Sequence, residues 1–106
     1  MTDREMKAVL YEAAAADASL TRVGTLPVPT PSPGELLVEV AYAGINFKDI
    51  MARRGDPGYA KTWPFVPGLE VSGTVRALGE GVDGFAPGDQ VLALTNAGGL
   101  AQQAVA

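Results

Sequence analysis

The chain has 106 residues, room for one domain around one core, and carries 12 acidic against 8 basic residues, with no histidine and no cysteine. Disulfides, thiol nucleophiles, Ser-His-Asp triads and imidazole acid–base chemistry are therefore excluded, and zinc, which almost always takes Cys or His ligands, lacks its usual donors. The net charge of −4 with scattered basic residues argues against nucleic acid, and the absence of any long apolar run argues against a membrane span or signal peptide, so a cytoplasmic protein is expected.

Thirteen glycines and eight prolines cut the chain into short elements, which favours a β-rich barrel or sandwich over a helical bundle. Met6–Glu12 (MKAVLYE) reads as a first strand. The alanine run Ala13–Ser19 is too short to be a stable helix unaided and reads as a connector. Leu20–Pro29 follows as a second strand, pushed towards a sheet edge by its prolines. Thr30–Glu35 (TPSPGE) is a rigid turn. Glu35–Gly44 (ELLVEVAYAG) is the clearest strand, and its alternation assigns Leu36, Val38, Val40 and Tyr42 to the core face.

The next stretch, AGINFKDIMARRG (Ala43–Gly55), predicts a short helix at Asn46–Arg54. Asn46 suits the N-cap, Asp49 the third helical position, Arg53 and Arg54 the C-terminal turn, and Gly55 the position just beyond it. Asn46 and Asp49 are thus either a helix start, or polar groups aimed into a pocket, or both. A long loop, Gly55–Gly68, carries Tyr59, Trp63 and Phe65 among glycines and prolines. Strands are predicted at Leu69–Gly79, Asp89–Leu94 and Ala101–Ala106, with Gly68 and Gly73 serving close backbone approach and Glu70 a structural carboxylate, buried or half-buried. Between them GEGVDG (Gly79–Gly84) matches the spacing of a dinucleotide-binding loop. That loop works by placing a helix N-terminus against the pyrophosphate, whereas here Pro87–Gly88 would break a helix within its first turns, and Glu80 and Asp83 would repel phosphate. A tight turn is the better reading.

Taken in order, VPTPSPGELLVEVAYAGINFKDIMARRG, PFVPGLEVSGTVRALGEGVDGFAPGDQVLAL and GGLAQQAVA resemble the N-terminal catalytic region of the medium-chain dehydrogenase/reductase superfamily, from Met6 to Ala106. The resemblance implies a mainly β, GroES-like distorted barrel with short helices, residues 1–106 being that domain and a separate Rossmann domain, absent from these residues, binding the cofactor. Metal-dependent members carry cysteine where this chain has Asn46 and histidine where it has Leu69. GINFKD instead resembles the zinc-free quinone oxidoreductases, VAT-1-like proteins and enoyl reductases, which transfer hydride from NADPH to a quinone or an activated alkene.

Such chemistry builds negative charge on a carbonyl oxygen, which calls for a hydrogen-bond donor or proton source in a dry cleft. The resemblance puts Asn46 and Asp49 near the nicotinamide and substrate, Asn46 donating through its amide. Lys48, Tyr42 and Tyr59 are further proton-donor candidates, and Phe47, Met51, Tyr59 and Trp63 candidate pocket walls. After GG the family usually has an aromatic and an acidic residue, where this chain has Leu100 and Gln102.

Three functional readings stand. The chain is the substrate domain of an NADPH-dependent reductase of quinones, enones or acyl thioesters, which needs its Rossmann domain, binds no NADPH by itself and exposes an apolar face that promotes a homodimer. Alternatively it is a stand-alone domain that binds a small molecule or a protein partner. Or it catalyses a cofactor-free isomerisation or cyclisation in a biosynthetic pathway.

Overall fold

A computed structural model describes residues 4–106. Six strands and one α-helix form: β1 (Glu5–Tyr11), β2 (Thr21–Pro27), β3 (Leu36–Ala43), α1 (Phe47–Arg54), β4 (Glu70–Leu78), β5 (Gln90–Leu94) and β6 (Gln103–Val105). Each expected strand is present within a few residues of its sequence bounds. The alanine run is a connector, ending in a single 3-10 turn at Ala18–Leu20 that Asp17 caps through Ser19 N–H.

β1 and β2 form an antiparallel ribbon, Glu5 opposite Pro27 and Tyr11 opposite Thr21. The other four strands form an antiparallel sheet in the order β5-β4-β3-β6. Isolated bridges, Ala8 to Ala101 and Tyr11 to Phe65, tie the ribbon to the rest. Met6, Ala8 and Leu10 alternate along the inner face of β1 and pack the core with Leu37, Val38, Val71, Val75 and Ala104, while Ala52 brings in one face of α1. This is the mainly β class expected. Among the described residues no helix is long and apolar enough to cross a membrane.

The face assignment of β3 needs correction. Val38 is fully buried, but its neighbour Leu37 is in the core too, at 6 % exposure, whereas Tyr42 is 79 % exposed. The pairing with β4 shifts register between Leu37 and Val38 and again between Val40 and Tyr42, where Ala41 is skipped. The extra residue is Arg76 on β4 at the first shift and Ala41 on β3 at the second, and it breaks the two-residue period of the strand that carries it. Tyr42 therefore aligns with Ser72 on the outer face, and Ala43 with Val71 on the inner. Opposite this irregularity, a Cβ on Gly73 would collide with the carbonyl of Glu39, which is why the strand needs glycine there.

GEGVDG forms turns with no helix after it, as expected; Gly79 lies against the backbone of Ser32 and Glu35, locking this turn to the TPSPGE turn.

Candidate active site

The bulge in β3 delivers the chain to Gly44 and Ile45, and α1 begins immediately. Asn46 takes the N-cap in extended geometry, φ −128° and ψ 160°. Asp49 Oδ2 accepts the Asn46 backbone N–H at 2.9 Å, while the Asp49 N–H goes to the Asn46 backbone carbonyl at 3.0 Å. At the other end Gly55, with φ 82°, closes the helix through the Ala52 and Met51 carbonyls. Arg53 donates to the Ala16 carbonyl at 2.8 Å, and Arg54 pairs with Asp56 at 2.6 Å. Both arginines serve the C-terminus of the helix, where its dipole favours cations.

Asp49 is only 4 % exposed, and its carboxylate reaches across the fold. Oδ1 accepts the N–H of Gly68 at 3.0 Å, nineteen residues on. The Gly68 carbonyl in turn accepts from Thr95 Oγ1 at 2.7 Å and from the Gly99 N–H at 3.1 Å. Tyr11 Oη donates to the Asp49 backbone carbonyl at 3.0 Å. One carboxylate thus fastens the start of α1, the Pro67–Leu69 entry to β4 and the exit from β5 into a single buried network. Gly68 sits at φ 112°, and a Cβ there would lie 2.5 Å from Leu100 N, so the close approach expected of this glycine is what the network requires. Burial, and next the Asp49 carboxylate, raise the Tyr11 pKa above its ordinary value, with Arg53 opposing.

Beside this network lies a small cleft of about 20 Å³, lined by Lys48, Asp49, Tyr59, Phe65, Leu69 and Asn96 among others. Three of the expected site residues therefore converge: Lys48, Asp49 and Tyr59, with Lys48 Nζ 5.9 Å from the Tyr59 ring centroid. Asn46 adjoins them through its bond to Asp49. Its amide Nδ2 is buried and has no hydrogen-bond partner. On either side of it, Ile45 and Phe47 are 78 % and 60 % exposed, forming an apolar lip.

The remaining candidates stand outside the cleft. Phe47 lies under the Arg54 guanidinium, 5.6 Å from its ring centroid. Met51 is half-buried and uses its carbonyl to terminate α1. Trp63 is edge-on to Phe65 at 6.4 Å and anchors the long loop. Tyr42 and Glu70 line a different, larger groove of about 490 Å³ on the outer face of the four-stranded sheet, together with Ser72, Leu92 and Leu94. Glu70 is exposed there, neither buried nor half-buried, with its side chain folded over Gly44. That groove is larger but holds one carboxylate and no cation, whereas the small cleft gathers a lysine, a phenol and a carboxylate.

A cleft of this size holds about one water. Small-molecule pockets are larger, roughly 300–1,000 Å³. Sequence reading did not find Thr95, Asn96 or Tyr11; a threonine directly after LAL and a tyrosine ending a strand carry no local signal of their long-range bonds.

The alcohol dehydrogenase GroES-like domain family matches the chain over residues 32–104. The synaptic vesicle membrane protein VAT-1 homolog-like of Mus musculus is 40 % identical over 93 residues, covering 88 % of this chain and 22 % of that protein. Quinone-oxidoreductase QR1, chloroplastic, of Triphysaria versicolor is 32 % identical over 111 residues, covering 100 % of this chain and 34 % of its own length. The crystal structure of the human VAT-1 homolog-like protein superposes with a TM-score of 0.90 at 36 % identity, over 96 % of this chain and 33 % of that one. The chain spans about a fifth to a third of the length of these relatives.

Proposed function

The chain belongs to the alcohol dehydrogenase GroES-like domain family, in the branch of the medium-chain dehydrogenases/reductases that holds the quinone oxidoreductases and VAT-1 proteins, and from that premise we propose that it forms the substrate-side wall of a zinc-independent, NADPH-dependent reductase of quinones, enones or enoyl thioesters. The observation that carries this reading is the partnerless amide of Asn46. A buried donor left without an acceptor costs about 1–3 kcal/mol, and a ligand oxygen that meets it recovers that cost.

NADPH, when bound, supplies the hydride. The Asn46 amide then donates to the carbonyl oxygen on which negative charge develops. Ile45 and Phe47, exposed on either side of Asn46, offer apolar contacts to a substrate, and Lys48 and Tyr59 are the proton sources within the cleft. Asp49 takes no proton in this scheme; it holds Asn46 and the Gly68 turn in place. No helix follows GEGVDG, so the proposal leaves the cofactor's pyrophosphate to a Rossmann domain outside these residues. Zinc finds no cysteine or histidine in this chain. A cytoplasmic location is part of the same proposal.

The test is NADPH oxidation by the complete gene product against a panel of quinones and α,β-unsaturated carbonyls. Asn46→Ala is expected to lower kcat/KM about 10²-fold, the scale for one lost oxyanion donor. The 106-residue chain alone is expected to show no submicromolar NADPH binding. Unchanged kcat/KM in the variant, or turnover of an enone without NADPH, would overturn the proposal, the latter in favour of a cofactor-free isomerisation or cyclisation.

A further inference from the structure

We propose that Thr95 is a positioning residue for the reaction proposed above: its hydroxyl, acting through Gly68 and Asp49, sets the aim of the Asn46 amide. The inference rests on that reading for its link to turnover, and on the buried network alone for its geometry. Thr95 directly follows β5, is 8 % exposed, and donates through Oγ1 to the Gly68 carbonyl at 2.7 Å. Its backbone N–H donates separately to the Leu69 carbonyl at 2.7 Å. The backbone bond already places the residue beside β4. The hydroxyl is an additional contact, directed at the Gly68 turn.

Gly68 is the joint through which this contact acts. At φ 112° it holds a conformation that glycine alone adopts readily, and glycine sets the fewest steric limits on how its two flanking peptides turn. Hydrogen bonds must therefore supply the restraint. The Gly68 carbonyl is held by Thr95 Oγ1 and by the Gly99 N–H, and the Pro67 carbonyl before it accepts from the Leu100 N–H at 2.9 Å. So clamped, the Gly68 N–H meets Asp49 Oδ1 at 3.0 Å.

Asp49 passes the restraint on. Its carboxylate is buried and makes no ion pair among the described residues, so the backbone N–H groups of Gly68 and Asn46 fix where its two oxygens lie. A carboxylate is planar, so a displaced Oδ1 displaces Oδ2, and with it the Asn46 peptide from which the amide side chain springs. The Asn46 amide nitrogen has no bond of its own to resist that movement. Loss of the Thr95 hydroxyl still leaves the Gly68 carbonyl its bond from Gly99, so no buried acceptor is stranded and the fold persists. Alignment is what is lost, and a misplacement of about 1 Å far from the chemistry can cost about 10²-fold in rate.

The test compares Thr95→Val, which keeps the branched shape and removes the hydroxyl, with Thr95→Ser, which keeps the hydroxyl, in the complete gene product. Backbone amide exchange at Asn46 and Gly68, followed by NMR on protein labelled at asparagine and glycine, is expected to quicken roughly tenfold in Thr95→Val and to hold the wild-type rate in Thr95→Ser. In NADPH oxidation Thr95→Val should lower kcat about tenfold with KM nearly unchanged, and Thr95→Ser should restore it. Added to Asn46→Ala, Thr95→Val should cause no further loss, because the group it positions is gone. Exchange unaltered by Thr95→Val, a wild-type kcat in that variant, or losses that multiply in the double variant would each overturn the proposal. If Asn46→Ala itself leaves kcat/KM unchanged, the reading of Asn46 as a donor falls, and the exchange rates alone decide whether Thr95 sets the Asn46 geometry.

Discussion

Asn46 and Asp49 stand three residues apart at the start of α1, yet the protein treats them in opposite ways. Both carboxylate oxygens of Asp49 accept a backbone N–H, one from its own helix start and one from Gly68. The Asn46 amide nitrogen is buried beside them with nothing to bond. A group whose hydrogen-bonding capacity is spent inside the fold is a fastening, whereas an unspent one is available to a ligand. The floor, the network from Asp49 through Gly68 to Thr95, is therefore the fastened part. The lip of Ile45, Asn46 and Phe47 is the part proposed to meet a ligand.

The largest expected effect breaks the floor. Asp49→Ala strands two N–H donors, one of them at buried Gly68, and should lower the unfolding free energy by about 3 kcal/mol, read by urea denaturation of the 106-residue chain. A loss below about 1 kcal/mol would mean that the carboxylate is not the fastening argued above.

Tyr11, which bonds the carbonyl of the same aspartate, offers a smaller and pH-resolved test. Tyr11→Phe should cost about 1 kcal/mol at neutral pH. Its phenol titrates higher in the folded chain than in the unfolded one, because burial and the Asp49 carboxylate disfavour the phenolate. The folded state therefore holds this proton more tightly. The linked stability is fully present below the ordinary tyrosine pKa of about 10 and is lost as pH rises through the higher folded value. The wild type should lose stability above that pH more steeply than Tyr11→Phe; parallel alkaline profiles would remove Tyr11 from the network.

The smallest effect on stability belongs to the lip. Asn46→Ala removes the N-cap side chain of the capping box it forms with Asp49, so its cost should be about 0.5–1 kcal/mol, at the low end of the range for a lost N-cap. The same variant carries the expected 10²-fold loss in kcat/KM. A residue with little weight in folding and much in turnover is the pattern that separates lip from floor.

Much of this was legible in the residues themselves. Asn46, Asp49, Arg53, Arg54 and Gly55 announce a helix and both its ends, because capping is settled within one turn of chain. The strands followed from period-two alternation, and the missing cysteine and histidine removed the usual metal ligands directly. The failures occurred where a remote partner decides. Tyr42 was assigned inward because nothing in ELLVEVAYAG shows that Ala41 is skipped; the irregularity exists only against β4, where Gly73 meets the Glu39 carbonyl. Glu70 was expected buried or half-buried and is exposed on the outer face.

By itself, then, the sequence determined the local elements, the family pattern and the stock of functional groups, since these depend on neighbours a few residues away. Only the tertiary structure decided that Asp49 is spent on Gly68 while Asn46 is not. That choice rests on backbone donors nineteen residues distant and on which side of a bulge a strand emerges. No spacing along the chain encodes either.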